Sequence, residues 1–387
     1  MDDTSYYYTI PYVVVLFLFL FLGFLDVKLT RINKDYIRVI SVCLFFWFFG
    51  FRGFVGSDFT SYYLFYKDIP SILNLTANDF LNWSFFEPGF IFFSSIIKLF
   101  SSNYHFFVFV NTIIDITLLL IVLKRYSNEY LVYSLAVFFV FGSEFEINLV
   151  RNIKSILLFL FSLKFLEERK FFPYFFVNLI GLSFHSTAIF FMPLYSFLHR
   201  SSKKIFFLVF FIGCVLYFLQ IKYIALIAGL LSEILGGIYL AKATIYLESE
   251  SSGITLAFLY IFVPFILIYK NYDKIVSKNN YNILFVNMFL LYCVANLYFT
   301  EILVFRSRFG ALFVLSLCIL FPQILSEYKT RKLHSYALNF IFYILFFSKI
   351  ILTNTPLPNF YDNLTFGIMN YDKRISNMNQ YSSESYY

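Results

Sequence analysis

Long apolar runs separated by short polar stretches recur from one end of the chain to the other. They lie near residues 10–25, 37–51, 88–102, 105–123, 130–147, 153–166, 172–198, 204–220, 254–270, 282–299, 309–325 and 335–352. A helix needs about 20 mostly apolar residues to cross the hydrocarbon core of a bilayer. The pattern therefore predicts an all-α polytopic integral membrane protein with about twelve transmembrane helices. Two runs break the rule. Run 88–102 is short and is a candidate re-entrant segment, a form tolerated where it lines a cavity. Run 172–198 has the length of one tilted helix or of two short ones. No stretch is left for a soluble domain, so residues 1–387 read as a single transmembrane domain.

Composition and charge sharpen this picture. A length of 387 residues would allow two or three soluble domains. Hydrophobic residues make up 60% and charged residues 14%, against about 25% charged in a soluble domain. The net charge of +7 is no sign of nucleic-acid binding, because the 30 Lys and Arg fall mostly in short clusters between apolar runs, where they set topology. Lys28, Arg31, Lys34 and Arg38 make the first loop cytoplasmic and the N-terminus extracytoplasmic. Met1-Asp2-Asp3 lacks the basic region of a signal peptide. Segments 52–87, 221–253 and 353–387 read as extracytoplasmic, and Glu233, Lys242 and Glu248 mark the second of them, which could lie on the membrane. Cys43, Cys214, Cys293 and Cys318 each stand alone in an apolar run, which indicates neither a zinc site nor a disulfide framework.

Charged residues at bilayer depth are costly and tend to mark function. RGFVGSDFTSYY places Arg52, Gly53, Gly56, Asp58 and Tyr62 at the end of the second run. Glycines between an arginine and an aspartate allow a tight turn and close approach to a ligand. Arg52 would bind an anion and Asp58 orient it or act as a base; the plainer alternative is an Arg–Asp pair holding a helix end. In FFEPGF, Glu87 precedes Pro88 and suits either a helix cap or a catalytic acid. EFEINLVRNIKSILLF sets Arg151, Asn152, Lys154 and Ser155 at a helix start. Cations there oppose the helix dipole but suit phosphate binding; the alternative is snorkelling to lipid headgroups. GLSFHSTAIFFMPLY holds His185 among Ser183, Ser186 and Thr187, either as a proton-transfer group or as a satisfied interior histidine. Arg306 and Arg308 open a later run, and with Arg52 and Arg151 they could clamp a pyrophosphate. No Walker A loop, HExxH, GxSxG elbow or dinucleotide fingerprint occurs, nor any metal-ligand spacing.

RGFVGSDFTSYY, EPGF, LVRNIKS, EERK and SFHSTAIFFMPLY occur in the order seen in the EpsG family, and the chain resembles that family over roughly residues 40–200. Asn152 stands where the family commonly has Gln. The resemblance implies a GT-C-like membrane protein related to Wzy-type O-antigen and exopolysaccharide polymerases, in the bacterial plasma membrane. It implies transfer of a glycan from undecaprenyl pyrophosphate to a lipid-linked repeat unit at the outer face, with no cofactor or metal. A flippase and a chain-length regulator would be partners. Arg52, Arg151, Asn152, Arg306, Arg308 and Tyr62 would hold pyrophosphate or glycan, and His185, Asp58 or Glu87 would take the hydroxyl proton. Two rivals stay open: a GT-C glycosyltransferase using a polyprenyl-phosphate sugar, and a lipid-linked glycan flippase or exporter. The absence of paired Gly/Pro-broken segments in the two halves weighs against transport.

Overall fold

The computed structural model describes residues 6–29, 31–200, 202–221, 223–224, 253–328, 332–353 and 360–384. Glu233, Lys242 and Glu248 of segment 221–253 lie outside them. The described chain is 81% helix with no strand. It forms two compact units, one of Met1–Tyr195 with Phe340–Tyr387, the other Ser196–Asn339.

The first unit opens with α1 (Ile10–Lys28), α2 (Arg31–Gly50), α3 (Phe59–Asp68), α4 (Ala77–Asn82) and α5 (Pro88–Phe100). It continues with α6 (Tyr104–Tyr126), α7 (Leu131–Ile147), α8 (Val150–Glu167) and α9 (Phe171–Phe184). Helix α1 packs on α7, α2 on α6, and α8 on both α6 and α9. The outward face of α1 carries Ile10, Val14, Phe17, Phe21 and Phe24, all about half exposed and spaced three or four apart. An apolar stripe at helical spacing on the outside is the mark of a lipid-facing helix. In the second unit, helix Lys203–Leu219 packs on Asn282–Tyr298, where Gly213 lets Leu297 and Tyr298 come close.

Among the described residues, four helices are long and apolar enough to cross a membrane: Ile10–Lys28, Tyr104–Tyr126, Asn128–Ile147 and Phe305–Glu327. A fifth crossing counts if Leu256–Lys270 and Tyr272–Lys278, bent by 71°, are taken together. The hydrophobic pattern predicts about twelve, and the difference arises because several apolar runs break into short helices. At 13 residues α5 is about 20 Å long, short of the roughly 30 Å core. Run 172–198 is broken into short pieces: α9 ends at Phe184, the backbone of His185 is extended, and a 3-10 helix, Ser186–Phe191, and a short α-helix, Leu194–Phe197, follow. Ser and Thr hydroxyls compete with helical hydrogen bonding here, and Pro193 bars continuation.

Two glycines fix the turn after α2. Gly56 has φ +92°, and a Cβ there would stand 2.1 Å from Asn148 Oδ1 and 2.6 Å from Ile147 Cγ2. A Cβ on Gly53 would stand 2.1 Å from Asp362 Oδ1. The close approach expected toward a ligand is thus made to the chain's own α7–α8 junction and C-terminal segment. That segment folds back onto α2: Gly53 N–H donates to Asp362 O (3.0 Å), Leu364 N–H to Phe51 O (2.8 Å) and Asn363 Nδ2 to Trp47 O (3.0 Å).

Between α6 and α8 lies a buried ion pair, Lys154 Nζ to Asp115 Oδ2 at 2.9 Å, with both side chains at most 2% exposed. Breaking such a pair strands a buried charge, whereas replacing both partners removes it. Lys154→Met is expected to destabilise the protein by about 3–5 kcal/mol, and Asp115→Leu combined with it to recover much of that loss, read from thermal unfolding in detergent. Gly56→Ala, forced into the left-handed region against Asn148, is expected to cost about 1–3 kcal/mol in the same assay.

Candidate functional site

The turn between α4 and α5 delivers Glu87. Pro88 sits at the first helical position and Glu87 at the N-cap with extended backbone, yet its carboxylate makes no cap bond to its own helix. It reaches two other elements instead. Glu87 Oε2 accepts from Arg151 Nη1 at 2.5 Å, and Oε1 accepts from the backbone N–H of Ser186 at 2.9 Å. Gly89 permits this approach, since a Cβ there would meet Ser183 Oγ at 2.2 Å. The EPGF, LVRN and FHST motifs, far apart in sequence, therefore meet at one carboxylate.

Arg151 is the second residue of α8. Its Nη1 also donates to Phe85 O at 2.9 Å, and the guanidinium lies 4.7 Å from the centre of the Phe86 ring. Its Nε has no hydrogen-bond partner among the described residues. Tyr62, on α3, is buried beside it. Burial raises the Tyr62 hydroxyl above its ordinary range, and the neighbouring Arg151 opposes that shift. Asp58 lies close enough to Tyr62 to act on the same hydroxyl. Asp58 precedes α3 and is held by its backbone N–H to Asn148 Oδ1 (3.3 Å) and by Ser57 Oγ to its Oδ1 (3.1 Å).

His185 stands at the N-cap of the 3-10 helix, where its Nδ1 accepts from the Thr187 N–H at 3.2 Å. The Thr187 hydroxyl lies 2.7 Å from that nitrogen and 3.0 Å from Asn152 Oδ1. Asn152 is 3% exposed. It supports the His185 turn from below and does not open outward.

Two expected members of an anion site point elsewhere. Arg52 is 4% exposed, and its guanidinium donates to Phe49 O (2.5 Å) and Glu146 O (2.6 Å), closing the end of α2 against α7. It is not the outward cation that its position after an apolar run suggested. Lys154 turns into the bundle toward Asp115, because the residue three after Arg151 on an α-helix is rotated toward the α6 side. Arg306 and Arg308 belong to the second unit. Arg306 is buried with Nε on Asn296 Oδ1 at 3.3 Å, and Arg308 is exposed. Hydropathy gave no hint of Asn148, Asp115 or the Asp362–Asn363 pair, since each acts on backbone or charge from a distant helix.

Residues 35–371 match the EpsG family, which reaches well past the motif-bearing stretch into the C-terminal segment. The chain belongs to the EpsG family. This is a family of Wzy-type, exopolysaccharide polymerase-like membrane proteins. No match is found among curated proteins or among solved structures. Within the EpsG-family match fall Asp58, Tyr62, Glu87, Arg151 and His185. Among the described residues of this EpsG chain, no group of three or more His, Cys, Asp or Glu is placed to hold a metal ion.

The Glu87–Arg151 contact is half-buried, with side chains 17% and 21% exposed, so solvent screens it in part. Glu87→Gln and Arg151→Met, taken singly and together through a double-mutant cycle of thermal stability, are expected to show a coupling of about 0.5–2 kcal/mol.

Proposed function

We propose that this EpsG-family protein is a polysaccharide polymerase. It transfers a growing glycan from undecaprenyl pyrophosphate to a sugar hydroxyl of a lipid-linked repeat unit, at the outer face of the bacterial plasma membrane. The hydroxyl oxygen attacks the anomeric carbon of the donor. The bond from that carbon to the pyrophosphate oxygen breaks, and the pyrophosphate keeps the electron pair. The hydroxyl proton passes to a carboxylate or imidazole of the site. Arg151 meets the charge that develops on the leaving group. In this reading the N-terminus is extracytoplasmic, the shorter apolar helices complete further crossings, and the transfer uses no metal.

The observation that carries the reading is the convergence of Arg151, Glu87 and the His185 turn, with Tyr62 and Asp58 alongside. The Arg151 side chain stays 21% exposed, a partly accessible guanidinium suits a phosphate oxygen, and Glu87 and Phe85 O hold its Nη1 in place. Arg52 is enclosed instead, 4% exposed with Nη1 and Nη2 each on a backbone carbonyl.

The test is glycan chain length by gel ladder in a deletion strain that carries wild type or variants at equal expression. Wild type is expected to restore the ladder. Arg151→Ala is expected to leave single lipid-linked repeats, with transfer reduced about 10²–10³-fold. Arg151→Lys should not restore it, since an ammonium lacks the planar fork. A deletion strain without any complete repeat unit would point to single-sugar transfer, and repeats trapped on the cytoplasmic side to a flippase; either outcome rejects the polymerase.

A further inference from the structure

The last turn of α7 carries two acids, Glu144 and Glu146, that no step of the polymerase reading uses. Residues two apart on a helix do not share a face. Glu146 is 2% exposed and lies in the interior, whereas Glu144 is exposed. A carboxylate set against lipid is costly, so an exposed one at a helix end marks a polar opening.

Asn148 decides what Glu144 meets. The backbone N–H groups of Ser57 (2.8 Å) and Asp58 (3.3 Å) can only donate, so the Asn148 atom they reach is its amide oxygen. The amide nitrogen is then the atom that donates to Glu144 Oε1, at 2.7 Å. One side chain thus ties the Glu144 carboxylate to the turn that carries Asp58. Asp58 lies close enough for its charge to act on Glu144, and so does Lys349 of the helix Lys332–Thr353. The Lys349 ammonium packs 5.5 Å from the centre of the Phe141 ring, three residues before Glu144. Asn148 also stands three residues before Arg151, and Tyr62 is within reach of the charges of both Arg151 and Asp58. The other carboxylates are more heavily engaged. Glu87 spends one oxygen on Arg151 and the other on the Ser186 N–H. Asp58 accepts from the Ser57 hydroxyl and has a further interaction within the protein. Glu144, among the described residues, is hydrogen-bonded through Oε1 alone.

We propose that Glu144, held by Asn148, is the general base of the glycosyl transfer, an inference that rests on the polymerase reading. As the sugar hydroxyl oxygen bonds to the anomeric carbon, its proton passes to Glu144 Oε2. The bond from that carbon to the pyrophosphate oxygen breaks, and the electron pair leaves with the pyrophosphate toward Arg151. Proton acceptor and cation are then carried by α7 and α8, the two helices that meet at Asn148.

Two substitutions test the assignment. Glu144→Gln keeps the length of the side chain and an oxygen for Asn148 but cannot take the proton. Glu144→Ala leaves room for a small added carboxylate. Each is purified in lipid nanodiscs, and its unfolding temperature and monodispersity are compared with wild type. Turnover and KM are then measured with the strain's own lipid-linked repeat unit. Folded Glu144→Gln is expected to lose about 100-fold or more in kcat, with KM within about threefold of wild type. Formate is expected to raise the rate of folded Glu144→Ala about tenfold or more, and chloride at the same concentration to leave it low. A kcat for Glu144→Gln within tenfold of wild type overturns the assignment. So does a raised KM with kcat kept, which would make Glu144 a binding residue, or a folded Glu144→Ala that formate does not help. A wild-type protein that makes no polymer from the repeat unit rejects the polymerase reading itself, separately from any Glu144 result.

Discussion

A helix that ends inside apolar surroundings leaves backbone N–H and C=O groups with no water to take them. This protein breaks its helices often, and the rest of its structure follows from how those freed groups are met. Arg52 caps carbonyls of Phe49 and Glu146 at the ends of α2 and α7. Asn148 takes the N–H groups of Ser57 and Asp58 where α3 begins. Glu87 takes Ser186, His185 takes Thr187, Arg151 takes Phe85 O, and Asn363 takes Trp47 O. In the second unit Asn287 Nδ2 meets the carbonyls of Leu198 and Arg200 in the same way. Each of these polar side chains serves a break in some helix, usually one distant in sequence.

That constraint also builds the candidate site. A carboxylate that must satisfy Ser186 and a guanidinium that must satisfy Phe85 are drawn together, and their mutual ion pair is a by-product with chemical value. What separates Arg151 from Arg52 is accessibility. Arg52 is enclosed, 4% exposed with both terminal nitrogens on carbonyls, while the Arg151 side chain stays 21% exposed. Rigidity comes from the elements beneath. The Lys154–Asp115 pair holds α8 to α6, and the C-terminal segment holds the turn after α2 through Asp362, Asn363 and the Tyr371 ring stacked 4.1 Å from Tyr63. The proposed transfer of a lipid-linked glycan gains from such support, because dipoles already in place stabilise transition-state charge without reorganising.

Membership of the EpsG family agrees with where these devices lie. The match runs from residue 35 to residue 371, and so includes the C-terminal residues that close onto Arg52 as well as the motifs of α3, α5, α8 and α9. The motifs alone suggest a cluster of ligand-binding side chains. In the folded chain about half of them turn out to hold the scaffold: Arg52, Gly53, Gly56, Asn152 and Lys154 all face protein.

Much of this protein could be read from its residues in order. Apolar runs and sparse charge established an all-helical membrane protein, and the order of five short motifs placed it in its family. The short run at 88 and the break near His185 were also visible, because proline and clustered hydroxyls act locally. The number of long helices, the partners of each arginine and the fold-back of residues 360–384 were decided by tertiary structure alone. Hydropathy sums a property of neighbours in sequence and sees only that Arg52 and Arg151 both follow or begin an apolar run. Whether a guanidinium is enclosed or stays partly exposed depends on which helix ends the fold brings to within about 3 Å of it, and that distance is set by residues up to hundreds of positions away.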